Sequence, residues 1–159
     1  NYNATSGHTL AMSMNSSGHI LQQKQPRFHV YGSASTVSHN TNPIIFNNTY
    51  VNNGSHYSTS TGKFTAPIGG TYIFFWSSIA GSPNDTYRYH LMKNNAVIGD
   101  IHLRADTTAT GTEYATNGSR VQMLTIASGD TIHIRFQADS SNTSYHAADY
   151  LNFGGYLLG

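Results

Sequence analysis

The 159-residue sequence contains no cysteine. A disulfide framework, a thiolate metal site and a cysteine nucleophile are therefore excluded. Small secreted domains often carry disulfides, so their absence leans toward a bacterial or viral origin, or toward stability drawn from association. Charge is also scarce. Asp, Glu, Lys and Arg make up 9% of the chain, against about 25% in an average soluble protein. The surface must instead be built from Ser, Thr, Asn, Gly and Tyr, as in many extracellular or virion-surface β proteins. The eight basic residues, Lys24, Arg27, Lys63, Arg88, Lys93, Arg104, Arg120 and Arg135, are scattered. They leave no basic stripe to follow a phosphate backbone, which argues against nucleic-acid binding. No apolar run approaches the roughly 20 residues that span a bilayer, so membrane insertion is not expected. No signal peptide is visible. The chain opens on Asn1 rather than Met, which reads as processing or as a fragment of something longer.

Sustained 3.6-residue periodicity is missing too. What stands in its place is short alternating runs punctuated by Gly and Asn, the pattern of an all-β sandwich or jelly roll. Residues 1–25 are polar and read as an extended lead-in, with Leu10, Met12 and Met14 alternating, a turn over Asn15–Gly18, and a second short strand at His19–Leu21. Too few apolar side chains lie there for a core, so the segment needs a partner: the following domain or other copies of itself. From residue 26 to residue 159 the texture is that of a domain. Strands are predicted at Arg27–Tyr31, Ile44–Phe46, Tyr72–Trp76, Asp85–Lys93, Ala96–Leu103, Val121–Ile126, Thr131–Gln137 and Leu151–Leu158. Asn94-Asn95 marks a tight hairpin, because Asn tolerates positive φ. Asn47–Ser60 reads as mostly loop. In Thr131–Gln137 the alternation puts Ile132, Ile134 and Phe136 inward, with His133 and Arg135 outward.

Tyr72-Ile-Phe-Phe-Trp76 differs from that half-polar strand. It is apolar on both faces, with Ile73 and Phe75 on one and Tyr72, Phe74 and Trp76 on the other. Leu151–Leu158 is similarly rich. In a two-sheet sandwich only one face of each sheet meets the core. A second apolar face must meet something else, most often another subunit. Tyr72, Phe74, Trp76, Phe153 and Tyr156 stand as the candidate subunit-interface set, with the assignment of faces left open.

Further signals fall in order. The stretch Tyr57-S-T-S-T-G-K-F-T-A-P-I-G-G-T-Y-I-F resembles the pattern Tyr, polar residues, Thr-Gly-x-Phe, then x-Pro-x-x-Gly-x-Tyr-x-Phe. H-L-M-K-N-N, S-G-D-T-I-H-I and F-G-G-Y-L-L follow, similar to a hydrophobic-Lys-Asn hairpin, a Gly-Asp strand and a closing Phe-x-Gly-Phe-Leu-Leu strand. Together these resemble the C1q-like globular domain of the complement C1q/tumour-necrosis-factor superfamily, from about Pro26 to Gly159. The resemblance implies a ten-stranded jelly roll that forms a tight homotrimer at the end of an elongated stalk. It also implies binding through exposed loops and no enzymatic activity. Residues 10–28 more weakly resemble the lead-in of such heads in bacteriophage structural and fibre proteins. No collagen Gly-X-Y tract precedes the head.

Chemistry-bearing residues are few. Nine His occur, without H-x-H or H-E-x-x-H spacing, although one His per chain on a threefold axis would give three metal ligands. Some members of the family bind Ca²⁺ near the trimer apex. The resemblance places Asp106 and Glu113 in the corresponding loop as weak candidate ligands, while Ca²⁺ needs several oxygens and acids are sparse. Asp130 reads as a turn residue. G-x-S-x-G, P-loop and dinucleotide glycine motifs are absent, so no catalytic residues are assigned. Asn-X-Ser/Thr sequons start at Asn3, Asn15, Asn47, Asn53, Asn84, Asn117 and Asn142. Tyr50, Tyr57, Tyr114 and Tyr145, read as loop residues, are candidates for ligand contact, since Tyr offers area with a polar tip. The functional expectation is a non-enzymatic trimeric head of a viral fibre or capsid appendage. It would bind a host-surface glycan or protein receptor and join an upstream shaft or capsid protein. The alternatives are a secreted C1q-like lectin or adhesin, and a purely structural trimerising cap.

Overall fold

A computed structural model describes residues 12–22, 24–32, 37–80, 85–105, 116–139 and 150–159. No helix occurs among the described residues. Among the described residues, ten strands make two five-stranded antiparallel sheets. The first sheet contains β3 (Arg27–Tyr31), β4 (Asn48–Asn53), β7 (Gly70–Ala80), β10 (Thr116–Ile126) and β12 (Asn152–Leu157), in the order β10-β7-β12-β3-β4. The second contains β5 (Tyr57–Ser58), β6 (Lys63–Thr65), β8 (Asp85–Lys93), β9 (Ala96–Ala105) and β11 (Thr131–Ala138), in the order β5-β6-β11-β8-β9. Ahead of them, β1 (Ser13–Met14) and β2 (Ile20–Leu21) form a separate hairpin. This is the ten-stranded jelly roll expected from the sequence.

Alternation decides the core. Tyr87, Tyr89 and Leu91 of β8, with Ile132, Ile134 and Phe136 of β11, point from the second sheet. Phe28, Val30, Tyr72, Phe74, Trp76 and Phe153 meet them from the first. Aromatic rings make the centre. Phe28 stacks on Phe64 at 4.8 Å and meets Phe153 edge-on at 4.9 Å, geometries favoured by the ring quadrupole.

Turn chemistry fixes the hairpins. Asn94 and Asn95 carry φ of 47° and 71°, so the two-residue loop between β8 and β9 has the left-handed backbone that matches strand twist. Asp130 ties this turn down. Its carboxylate accepts from Asn94 Nδ2 at 2.6 Å and Ala127 N at 2.8 Å, and pairs with Lys93 Nζ at 2.9 Å. Those hydrogen bonds, Lys93 first, lower its pKa to about 2.

Gly62 shows why the Thr-Gly-Lys-Phe motif needs glycine. Its φ is +69°, and an added Cβ would sit 2.4 Å from the Ile44 carbonyl oxygen. Neither the conformation nor the space admits a side chain. Gly62→Ala should cost about 2–3 kcal/mol, a drop of roughly 5–10 °C in thermal midpoint for a chain this size. A midpoint unchanged in differential scanning calorimetry would contradict the close approach.

Three expectations are corrected. Ile44–Phe46 is not a strand. It follows the cis Asn42–Pro43 bond and is an extended segment burying Ile44 and Phe46. Its backbone bonds go to Ile134 O (2.8 Å) and the Tyr57 hydroxyl (3.3 Å) rather than to a ladder. Asn47–Ser60 is not mostly loop, since β4 and β5 lie within it. β4 is an edge strand held by its pairing to β3, and its Asn-rich sequence hides it because it contributes little to the core. His133 is buried, not outward in solvent. It does lie on the outer side of β11, but the 41–44 segment runs along that strand and covers it. Phe136 N donates to Thr41 O at 2.9 Å, and Asn42 Oδ1 lies 2.9 Å from His133 Nε2.

Candidate functional site

β7 divides its two apolar faces as alternation requires. Tyr72, Phe74 and Trp76 are buried inside a single chain, and so is Phe153 of β12. These four of the five interface candidates are therefore corrected to core: the second sheet already covers them. Tyr156 remains exposed.

Among the described residues, no second layer lies on the opposite face of the first sheet. Register places Val51, His29, Gly154, Phe75 and Val121 in one row across β4, β3, β12, β7 and β10. The adjacent row runs Asn53, Arg27, Tyr156, Ile73 and Met123. Directly opposed residues in an antiparallel pair share a face. Val121 and Met123 are 67% and 61% exposed, and Ile73 and Phe75 are half-buried. The result is an apolar band with Arg27 as the one formal charge in these two rows.

Two glycines shape the band. An added Cβ at Gly154 would lie 2.2 Å from the Phe75 ring, and one at Gly155 would lie 2.6 Å from the Phe74 ring. Each glycine thus lets a β7 aromatic lie across β12, one on each face of the sheet. Beside Phe75 an aromatic group continues to the β4 edge. His29 is 5.3 Å from Phe75 and 4.7 Å from Tyr50, and Tyr31 stacks on Tyr50 at 4.4 Å. At one end of this face a recess of about 420 Å³ is lined by residues including Gln22, Gln25, Arg27, Phe75, Tyr156 and Leu158. At the other end a polar recess of about 340 Å³ includes Ser77, Asn117, Ser119, Tyr150 and Asn152.

The ligand-contact candidates separate. Tyr50 is exposed, but on strand β4 rather than a loop. Tyr57 is corrected: it is a buried residue of β5 whose hydroxyl accepts from Phe46 N at 3.3 Å. Burial pushes its phenol well above the usual pKa. Tyr114 and Tyr145 lie outside the described residues, as do Asp106 and Glu113. Among the described residues, no three His, Asp or Glu side chains gather as a metal site. Val121 and Met123 were not singled out by sequence reasoning. The signal was available, since apolar residues at both parities of Val121–Ile126 imply two covered faces.

The face offers shape and apolar area, with aromatic rings at one edge. The C1q domain family model matches residues 27–158. The chain belongs to the C1q domain family. Among curated C1q relatives, Complement C1q tumor necrosis factor-related protein 6 of Rattus norvegicus is 27% identical over 124 residues, covering 76% of this chain and 44% of that protein. Caprin-2 of Danio rerio is 28% identical over 116 residues, covering 73% of this chain and 12% of that protein. The chain thus spans less than half the length of both. The globular domain of zebrafish complement 1qA aligns with a TM-score of 0.59 at 21% identity, covering 84% of this chain and 98% of that one. Murine APRIL aligns with a TM-score of 0.65 at 10% identity, covering 85% and 100%. These likenesses establish the C1q and tumour-necrosis-factor jelly-roll fold.

Proposed function

We propose that this chain is a non-enzymatic recognition module that assembles as a homotrimer through the open face of its first sheet. The observation that carries the reading is the uncovered band of Ile73, Phe75, Val121, Met123 and Tyr156. A contiguous apolar band of this kind marks a contact surface. In a closed threefold ring each copy would place this face toward the axis and toward its neighbours. Residues 1–25 then act as the lead-in and residues 26–159 as the head.

Recognition is assigned to surfaces away from that band, with a glycan or protein receptor as ligand. Tyr114 and Tyr145 are retained as proposed contacts, and Asp106 and Glu113 as the positions where Ca²⁺ would be sought. The vertebrate relatives favour an extracellular recognition protein over the viral fibre head suggested by the lead-in.

Sedimentation velocity at micromolar concentration tests the assembly. The expected species has three times the 17.3 kDa chain mass. The double variant Val121→Asp/Met123→Asp should sediment as a monomer with an unchanged β circular-dichroism spectrum, because six carboxylates could not be buried unpaired at the axis. A monomeric parent protein would overturn the reading.

A further inference from the structure

The β1–β2 hairpin lies outside the residues matched by the C1q family model, and neither the fold nor the proposed trimer face accounts for it. Its turn is tightly built. Asn15 N donates to His19 O at 3.0 Å, and Asn15 Oδ1 accepts from Ser17 N at 3.0 Å and His19 N at 2.9 Å. Gly18 supplies the positive φ of 82°. Yet among the described residues the hairpin holds two ladder pairs, Ser13 with Leu21 and Met14 with Ile20. A two-stranded hairpin is marginal in water without an apolar face packed on something.

That apolar face exists and is bare. Met14 and Ile20 are opposed, so they share a face, and Met12 joins them two residues along. Met12, Met14 and Ile20 are 60%, 71% and 63% exposed. Together with Ser13 they line a shallow recess of about 190 Å³. Residues 12–22 carry no Asp, Glu, Lys or Arg, so like-charge repulsion between copies does not arise.

The tether places this face. Gln25 Nε2 donates to Leu157 O, and Leu157 N donates to Pro26 O at 3.0 Å. The hairpin therefore hangs from the β12 end of the open face, on residues 22–24. That link spans at most roughly 11 Å. Three side chains supply only a small fraction of the roughly 800 Å² per partner that a stable independent interface buries. The patch is too small to capture a separate protein from solution. It suffices for a partner already held close, where a short tether gives an effective concentration of about millimolar.

We infer that the occupant is the same hairpin of the other two subunits. The three β1–β2 hairpins meet on the threefold axis and bury Met12, Met14 and Ile20 in a shared apolar plug below the jelly rolls. Unbranched Met side chains suit such a packing, since they adapt to an irregular space. The inference rests on the trimer proposed above.

Because the chain has no cysteine, single-cysteine variants of the full chain give a clean test. Met14→Cys treated with a short bis-maleimide should yield covalently linked chain pairs in most of the protein, at concentrations where sedimentation shows trimers. Ser17→Cys, at the turn tip, should link far less. Met14→Asp/Ile20→Asp should keep a folded trimer at micromolar concentration while raising its dissociation constant about tenfold or more. Trimers with little Met14→Cys linking, or a dissociation constant unmoved by the aspartates, overturn the plug while leaving the trimer intact. That result would send the hairpin either to a neighbour's jelly roll or to an outside partner. A parent protein that sediments as a monomer overturns both readings.

Discussion

Phe74→Ala should lower the stability of the jelly roll by about 3–5 kcal/mol, and Phe75→Ala, one residue along the same strand, by far less. Phe74 is fully buried and packs against Phe28, Phe64, Tyr72 and Phe153, with ring centroids between 5.9 and 6.5 Å. Truncating such a ring loses its transfer free energy and leaves a cavity that close-packed neighbours only partly fill. At about 2–4 °C of midpoint per kcal/mol, the fall is roughly 6–20 °C. Phe75 lies on the open face across Gly154, so its removal exposes little that a single chain had dried. Its effect should appear in association instead. Measuring both variants in the Val121→Asp/Met123→Asp background by thermal denaturation separates folding from assembly. Equal losses from the two substitutions would mean that β7 does not divide its faces as described.

Lowering the pH from 7 to 4.5 should destabilise the fold through His133. The ring is buried, and burial first, with the Lys63 charge second, lowers its pKa to about 4 from an ordinary 6.5. Its Nε2 meets Asn42, and its Nδ1 finds no hydrogen-bond partner among the described residues. The unfolded chain therefore takes up a proton before the folded chain does. The stability of the neutral buried state is fully present above pH 6.5 and falls as pH drops toward 4, by up to about 1.4 kcal/mol per pH unit. The total is about 3 kcal/mol. His90, also lowered chiefly by burial, adds a loss of the same sign. Asp130, held at about 2, acts lower: its contribution is present above the ordinary carboxylate range and fades as pH falls toward 2. Urea unfolding at pH 7, 5.5 and 4.5 should show a steep loss in the parent protein and a shallower one in His133→Gln, which keeps a donor for Asn42. Parallel curves would remove His133 from the cause.

These two residues also mark what the sequence conveys and what it does not. The jelly roll was legible because its elements are locally self-consistent. Tyr87, Tyr89 and Leu91 alternate, Asn94-Asn95 suits only a tight turn, and the Thr-Gly-Lys-Phe stretch needs a glycine where Ile44 approaches. The two apolar faces of β7 were equally plain. Which of them met the core was not, because alternation sets parity and leaves its sign to the other sheet. Tyr72, Phe74, Trp76 and Phe153, named as interface candidates with their face left open, lie in the core for that reason. His133 has the right parity and the wrong environment: the segment that covers it is 91 positions away in the chain. β4 escaped notice because an edge strand takes its stability from backbone pairing, to which Asn-rich sequence is no guide. Tyr57 looked like a loop residue because its neighbours are Ser and Thr, although its own ring stacks on Phe28 at 5.3 Å.

The clamp between Pro26 and Leu157 determines how the domain would bear mechanical load. Tension on the lead-in enters at Arg27 and acts along β3, which pairs antiparallel with both β12 and β4 over its five residues. Pulled along its own axis, β3 can leave only by shearing both ladders at once, so their hydrogen bonds share the force and do not fail one after another. The aromatic core contributes to the same resistance, since Phe28 would have to slide past Phe64 and Phe153 before the strand could move. A head held by this strand resists being drawn out lengthwise far better than being peeled from an edge.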